Sequence, residues 1–275
     1  VTTDMYYFDQ QDRQDFLRKT ERFPFERVQG ILFAPVFREE SLRFLERCEQ
    51  ENVPVVLFNS LLEASSVKCF VGQDAWKSGY VAAKLINYGV EPRRDVAIIN
   101  MSSREDHYSH IMQREKGFRA FFEDHSGRLR QLVRIELDGT NDKGLADQLD
   151  KAFRAHDISG LFVTSSRVYR VARYLAYKGE MDVRLVGYDL LPESLEFLQR
   201  DYIDFLISQK PQEQAARGLS CLFNLVAFHR EPERRYYMPI DIITRENLLY
   251  YQEENKCILL KNTEFYTNYP KNSNI

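Results

Sequence analysis

The stretch "LVGYDLLPESLEFLQRDYIDFLISQKPQEQAARGL", Leu185 to Leu219, decides the fold. An apolar run, Leu185–Gly187, stops just before Asp189, an amphipathic segment over Glu193–Arg200 follows, and a second apolar run, Phe205–Ser208, stops at Gln209. Beyond Pro211 a long helical pattern begins. Two short apolar runs separated by a helix read as a βαβ unit of a parallel sheet covered on both faces.

The same rhythm fills the chain. Strands are expected at Met5–Phe8, Gly30–Ala34, Val55–Phe58, Cys69–Val71, Val96–Asn100, Val133–Leu137, Leu161–Thr164 and Tyr237–Ile243, besides the two above. Between them lie helical patterns: "REESLRFLERCEQEN" with Leu42, Leu45 and Cys48 on one face, and "AWKSGYVAAKLINYG" closing on Gly89 as a C-cap. Further helices are expected at Ile111–Glu123, Lys143–Ala155, Arg167–Ala176 and Gln212–Phe228. Gly, Pro and paired arginines in "NYGVEPRRDV" (Asn87–Val96) and "HREPERRYYMP" (His229–Pro239) mark lobe boundaries, with a third crossing near Gln209–Pro211. The expected architecture is α/β, two Rossmann-like lobes with parallel sheets joined by a three-strand hinge. One lobe takes residues 1–92 and 211–235, the other 93–210 and 236–275. A single continuous sheet with basic surface loops is the other arrangement the pattern allows. The tail from Gln252 to Ile275 breaks the rhythm and reads as a docked extension or a disordered one.

At 275 residues and 44% apolar content, the chain can bury a large core. Its 38 basic and 41 acidic residues leave a net charge of −3, which provides no field for gathering phosphate backbones. Cys48, Cys69, Cys221 and Cys257 have no metal-ligand spacing and read as free thiols of a reducing compartment. No apolar run approaches the roughly 20 residues of a membrane span. The expected location is cytoplasmic, although a mature exported protein would present the same features.

Ligands of open parallel sheets bind beyond the carboxyl ends of the strands. Those positions hold Asp9, Phe37, Asn59, Gln73 with Asp74, Ser102 with Ser103, Asp138, Ser165 with Ser166, Asp189 and Gln209. Acceptors, amides and an aromatic together suit a neutral polyol, whose hydroxyls donate and accept while its ring face lies on an aromatic. Any one of these residues alone reads as a cap of the following helix. Arg114, in "HYSHIMQREKGFRAFF", lies near a helix start and offers a planar fork for two adjacent oxygens; the other reading is a solvated arginine paired with Glu115 or Glu123.

Catalysis finds little support. The chain has no GxGxxG, GxxxxGK[ST], GxSxG or HExxH, and its five histidines cluster only weakly. No enzyme activity, cofactor or metal is expected.

The chain resembles the ligand-sensing core of lactose-repressor-type (LacI/GalR family) transcriptional regulators. The resemblance rests on "VQGILFAP", "VPVVLFNS", "VGQDAWKSGYVAAKLI", "DVAIINM", "QREKGFRAFF", "SGLFVTSS", "VRLVGYDLLPESL", "FLISQKPQEQAARG" and "PIDIITRENLLYY", in family order from Tyr6 to Tyr251. No single motif decides it; their collinearity does. The resemblance implies the type I periplasmic binding protein fold and a small-molecule effector, a sugar or derivative, held between the lobes. It also implies operator DNA bound through a helix-turn-helix head and a homodimer, with Glu39–Glu51 and Trp76–Tyr88 as candidate dimer helices. Carried over by position, the RxxGF arginine falls on Arg114, the strand-end aspartate of "GYDD" on Asp189, the helix-opening aspartate on Asp74 and the glutamine before the last crossing on Gln209. Where the family has an "ND" pair this chain has Ser165 and Ser166, and the chain begins at what resembles the family's second strand, with no counterpart of the head, hinge, first strand or first helix. A transporter's sugar-binding protein or an extracellular sensor lobe with the same fold is the alternative.

Overall fold

A computed structural model describes residues 2–10, 12–101, 109–125, 131–137, 141–180 and 182–251. Its elements in chain order are α1 (Arg13–Glu21), a 3-10 turn (Phe25–Arg27), β1 (Ile31–Phe33), α2 (Arg38–Gln50), β2 (Val55–Phe58), β3 (Val67–Gly72), α3 (Ala75–Gly89), β4 (Asp95–Asn100) and α4 (Ser109–Asp124). There follow β5 (Leu132–Glu136), α5 (Asp142–Ala155), β6 (Ile158–Val163), α6 (Val168–Lys178), β7 (Arg184–Tyr188) and α7 (Pro192–Gln199). β8 (Phe205–Ser208), α8 (Pro211–Phe228), β9 (Arg235–Tyr237) and β10 (Asp241–Ile243) complete the described chain. The strands form a four-stranded sheet in the order β1-β2-β3-β9 and a six-stranded sheet in the order β10-β8-β7-β6-β4-β5. All pairings are parallel except β10 with β8. This is the expected two-lobe α/β architecture of the type I periplasmic binding protein fold.

Alternation along the strands builds each lobe, because successive side chains face opposite sides of a sheet. In the first lobe Val55, Leu57 and Phe70 turn toward a phenylalanine-rich core with α1 and α2, while Val56, Cys69 and Val71 turn toward α8. In the second, Ile99, Leu161, Val163 and Leu185 face one side with Leu145 and Leu149 of α5 and Val171 and Leu175 of α6. Val96, Ile98, Phe162 and Val186 face the other with Ala82, Ala83 and Ile86 of α3 and Phe118 and Phe121 of α4. A one-residue slip would exchange the two sets, so the pattern pins the register.

Packing moves the lobe boundaries from where the sequence put them. The expected boundary at residue 92 assigns α3 to the first lobe, yet α3 lies on the six-stranded sheet and against α4. The first crossing is therefore at Gly72–Ala75, and "NYGVEPRRDV" is an ordinary turn from α3 into β4. Gly89 stays helical and Val90 takes the C-cap position in extended conformation; the glycine is where Arg184 packs, and a Cβ there would lie 2.8 Å from Arg184 Cδ. The last crossing also shifts. The strand expected over Tyr237–Ile243 divides at Pro239, with β9 in the first lobe's sheet and β10 antiparallel to β8 in the second, because proline has no N–H to continue a ladder.

Two further differences lie near the start. Met5–Phe8 alternates as expected, with Tyr6 against Phe23 and Phe8 against Phe16 while Met5 and Tyr7 face solvent, but it forms no ladder, and the side-chain pattern alone does not make a strand. Residues 13–21, where the sequence reading placed no element, form α1, started by the Asp12 carboxylate accepting from Gln14 and Asp15 N–H. One buried phenylalanine, Phe16, is too sparse an apolar pattern to announce a helix. The tail from Gln252 lies outside the described residues.

Candidate functional site

Arg114 is the centre of the junction between lobes, and its placement follows from the four residues after it. Phe118, one turn on, is fully buried and stacks on Phe162 of β6 at 4.5 Å between ring centroids. Gly117 lets α4 meet α3 backbone to backbone: a Cβ there would sit 1.8 Å from the Trp76 carbonyl oxygen, and one at Gly79 would sit 1.9 Å from that of Arg114. With α4 fixed so closely, the Arg114 side chain runs to the strand ends. It is 3% exposed, stacks its guanidinium 3.6 Å above the Tyr188 ring, and donates from Nη1 to the Thr164 carbonyl at 2.7 Å. Tyr188 is held in turn by a hydrogen bond of 2.9 Å with Ser78 of α3.

A glutamine stands between this cation and the acid that balances it. Arg114 Nη2 donates to Gln209 Oε1 at 2.5 Å, and Gln209 Nε2 donates to Asp189 Oδ2 at 2.8 Å. Burial pushes the Asp189 carboxyl above the usual carboxylate range, against the pull of Arg114 and then of Gln209. Arg114 is drawn below its ordinary value by burial, with Tyr188 and Asp189 opposing. Two of the five guanidinium N–H groups are committed here, and Nε, fully covered, makes no hydrogen bond. Arg114, Asp189 and Gln209 thus meet as the sequence expected, and Ser165 adjoins them, directly after the Thr164 carbonyl that Arg114 grips.

The other expected residues are not joined to this chain of hydrogen bonds in the described structure. Asp74 caps α3, its carboxylate accepting from Lys77 N–H at 3.0 Å, and no contact ties it to Arg114. Phe37 is 2% exposed inside the first lobe's aromatic core, 5.6 Å from Phe16, with no face open to a ligand. Its strand-end position suggested a ligand platform, but the phenylalanine core of the first lobe claims it. Asp138 lies outside the described residues.

Further residues complete the junction, Gln73 and Asn59 of the strand-end set among them. Gln73, 6% exposed, donates through Nε2 to the carbonyls of Ser208 at 2.7 Å and Pro239 at 2.9 Å, so one amide joins all three crossing segments. Its Oε1 is buried without a hydrogen bond. Gln214 of α8 accepts from Asn59 N–H at 2.9 Å and donates to the Gln209 carbonyl at 2.7 Å. Across the gap, the Ser60 hydroxyl and His110 Nδ1 share a hydrogen bond of 3.1 Å. Burial, and then the Arg114 charge one turn along, push His110 well below the usual imidazole range. Lys210, beginning α8, pairs with Glu213 at 3.1 Å and with Asp241 of the second lobe at 2.9 Å. Asn59, Asp189 and Lys210 all take left-handed backbone angles, with φ of 66°, 67° and 51°. Such strain costs on the order of 1 kcal/mol per residue and persists where the surroundings dictate it. Gln73 was marked by its strand-end position, whereas Gln214 was missed, lying inside the helical pattern that follows Pro211.

Chemically, the junction offers one buried cation with spare donors, one carboxyl at elevated pKa, a tyrosine ring, an imidazole and several amides. That set suits hydroxyl groups, which donate and accept at once. Among the described residues no group of three or more His, Cys, Asp or Glu could hold a metal ion. A separate cavity of about 250 Å³ opens at the far ends of β7 and β8, but its charges are already paired, Arg184 with Asp204 at 2.8 Å and Arg245 with Asp201. No helix among the described residues is long and apolar enough to cross a membrane.

Residues 2–230 match the periplasmic binding protein domain family. A Bacteroides fragilis protein assigned as a LacI transcriptional regulator is 27% identical, with a TM-score of 0.82 over 90% of this chain and 86% of that one. A glucose-galactose binding protein from Geobacillus stearothermophilus superposes with a TM-score of 0.76 at 21% identity, over 86% of this chain and 84% of that one. A solute binding protein of an ABC transporter from Burkholderia graminis, solved with D-arabinose, gives 0.75 at 18% identity over 86% and 82%. Both of these identities are low enough that they speak to the fold alone. No curated protein matches the sequence.

Proposed function

This chain belongs to the periplasmic binding protein domain family, and from that premise we propose that it is a small-molecule receptor holding a neutral sugar between its lobes. The observation that carries the reading is the Arg114–Gln209–Asp189 chain. A guanidinium with spare N–H groups and a carboxyl of raised pKa share one amide, which leaves little uncompensated positive charge for an anionic ligand. A sugar hydroxyl pair would accept from the free guanidinium N–H groups and donate to Asp189, and the Tyr188 ring is already occupied by the Arg114 fork. Solved proteins of the same fold have been described with D-arabinose, D-tagatose and D-allose, which makes these monosaccharides the first probes.

We further read the chain as the effector-sensing core of a LacI-type regulator, acting as a homodimer on operator DNA in the cytoplasm. The B. fragilis protein supports this, at higher identity and TM-score than the transport proteins named above. In that role no bond of the ligand changes. The sugar biases one lobe angle over another, and only differential affinity for the two angles does so. The second reading, a binding protein serving a sugar transporter, is favoured by the number of solute binding proteins with the same architecture.

Thermal shift and calorimetry against neutral monosaccharides, with sugar acids and sugar phosphates as contrast, test the receptor reading. Stabilisation by a neutral sugar is expected, and a response confined to phosphorylated ligands would overturn it. The residues encoded before Val1 separate the finer readings: a helix-turn-helix segment supports the regulator, a signal peptide the transport protein.

A further inference from the structure

The first lobe contains two thiols that the junction does not use. Cys69 sits in the middle of β3 at 1% exposure, and Cys221 projects from α8, partly exposed, onto the same face of the sheet. Both are free and lie in one apolar cluster with Val56, Val71, Leu222 and Met238, and after burial it is the neighbouring Cys221 thiol that raises the pKa of Cys69. Cys48 is also free but lies on the opposite face, in the phenylalanine core, with the sheet between.

We propose that Cys69 and Cys221 form a redox modification site, closed to an intramolecular disulfide by low-molecular-weight disulfides of the oxidised-glutathione class. The exposed member reacts first. Cys221 gives a proton to solvent and its thiolate attacks one sulfur of the reagent; that S–S bond breaks and the leaving thiolate takes up a proton. Cys69 then loses its proton, attacks Sγ of Cys221 and expels the second reagent thiol. Two protein thiols are oxidised and one small disulfide is reduced to two thiols, so atoms and electrons balance. Burial pushes the Cys69 thiol up to about 12, which makes the second step the slow one and protects Cys69 from direct attack.

The clamp has a mechanical consequence. Cys221 lies seven residues, about two helical turns, beyond Gln214 on the same face of α8, and Gln214 holds both Asn59 and Gln209 at the junction. Fixing α8 to β3 therefore fixes the helix that carries the first lobe's grip on the hinge. The bond would also close a loop of about 150 residues in the unfolded chain, where disulfides restrict the most conformations.

The full chain carrying Cys257→Ser, which removes the cysteine in the tail, is incubated folded with oxidised glutathione to equilibrium and mapped by mass spectrometry without reduction. The expected product is a Cys69–Cys221 linked peptide pair lighter by two hydrogens, a melting midpoint raised by about 5 °C, and reversal by dithiothreitol, with Cys48 unlinked. In Cys69→Ala the reaction should stop at glutathione on Cys221; in Cys221→Ala neither residue should be modified. A folded chain that ends with glutathione on Cys221 and no linked pair overturns the proposal, as does a link between any other two cysteines. The map of the Cys257→Ser chain decides by itself should either alanine variant fail to fold.

Discussion

The two sides of the junction are built from different chemistry. The second lobe supplies its charge and rings: Arg114, Asp189, Tyr188 and His110, fixed by a glycine crossing of α3 and α4 and a stack of Phe118 on Phe162. Among the described residues the first lobe supplies neutral groups: the Asn59 N–H, the Ser60 hydroxyl and the Gln214 amide. The contrast teaches how such a gap can open. A charged group desolvated by one lobe and paired within it stays satisfied when the other lobe leaves, whereas an ion pair spanning the gap would leave two buried charges unpaired on opening. Neutral hydrogen bonds, each worth about 0.5–1.5 kcal/mol net, can be exchanged for water at small cost. Lys210 with Asp241 is the exception, and it lies on the crossing segments themselves.

If the second lobe's rigidity places Arg114, breaking it should do the most damage. Gly117→Ala puts a methyl 1.8 Å from a backbone oxygen that cannot step aside, so a loss of about 3 kcal/mol or more in denaturant unfolding is expected, with sugar binding lost as well. Arg114→Met keeps the bulk over Tyr188 but removes the charge, stranding Gln209 and Asp189. Sugar affinity should fall by 100-fold or more by calorimetry, while stability drops by about 1–3 kcal/mol. An unchanged affinity would remove Arg114 from the site.

The third comparison is one of pH. His110 has its pKa depressed in the folded junction, so the stability it lends is present above the ordinary imidazole value near 6.5 and is lost as pH falls through the window below it. Asp189 has the opposite sense. Its raised carboxyl favours the fold at low pH, and that contribution is lost as pH rises from about 3.8 to the raised value. His110→Gln should therefore flatten the decline in sugar affinity and melting midpoint as pH falls below about 6.5, whereas Asp189→Asn should steepen the loss of melting midpoint on further acidification, because the proton uptake that favours the fold there is gone. A wild-type profile that His110→Gln leaves unaltered would show that the imidazole does not sense closure. The smallest effect belongs to Asp74→Ala, which removes a helix cap at about 1 kcal/mol and should leave sugar affinity as it was.

Much of this was legible in the sequence because it follows from local rules. Helix α3 runs over the residues its pattern marked, and seven further strands fall within two residues of expectation, since burial on both faces demands apolar runs of that length. Phe37 and Asp74 were placed at the site because both follow strands, yet strand ends serve caps and cores as well as ligands. Gln214 was overlooked for the converse reason: an amide inside a helical pattern carries no charge and no strand-end position, and acquires its role only when the Asn59 N–H and the Gln209 carbonyl arrive beside it.

The sequence by itself determined the βα rhythm and the register of each strand, because alternation acts over a few residues, while the meeting of Arg114, Asp189 and Gln209 was what the family resemblance implied. Tertiary structure alone decided that α3 belongs to the second lobe, that the chain changes lobes at Gly72–Ala75 and at Pro239, and that one glutamine ties three crossings together. Those outcomes depend on which sheet face a helix finds to bury its apolar stripe, a competition among surfaces far apart in sequence.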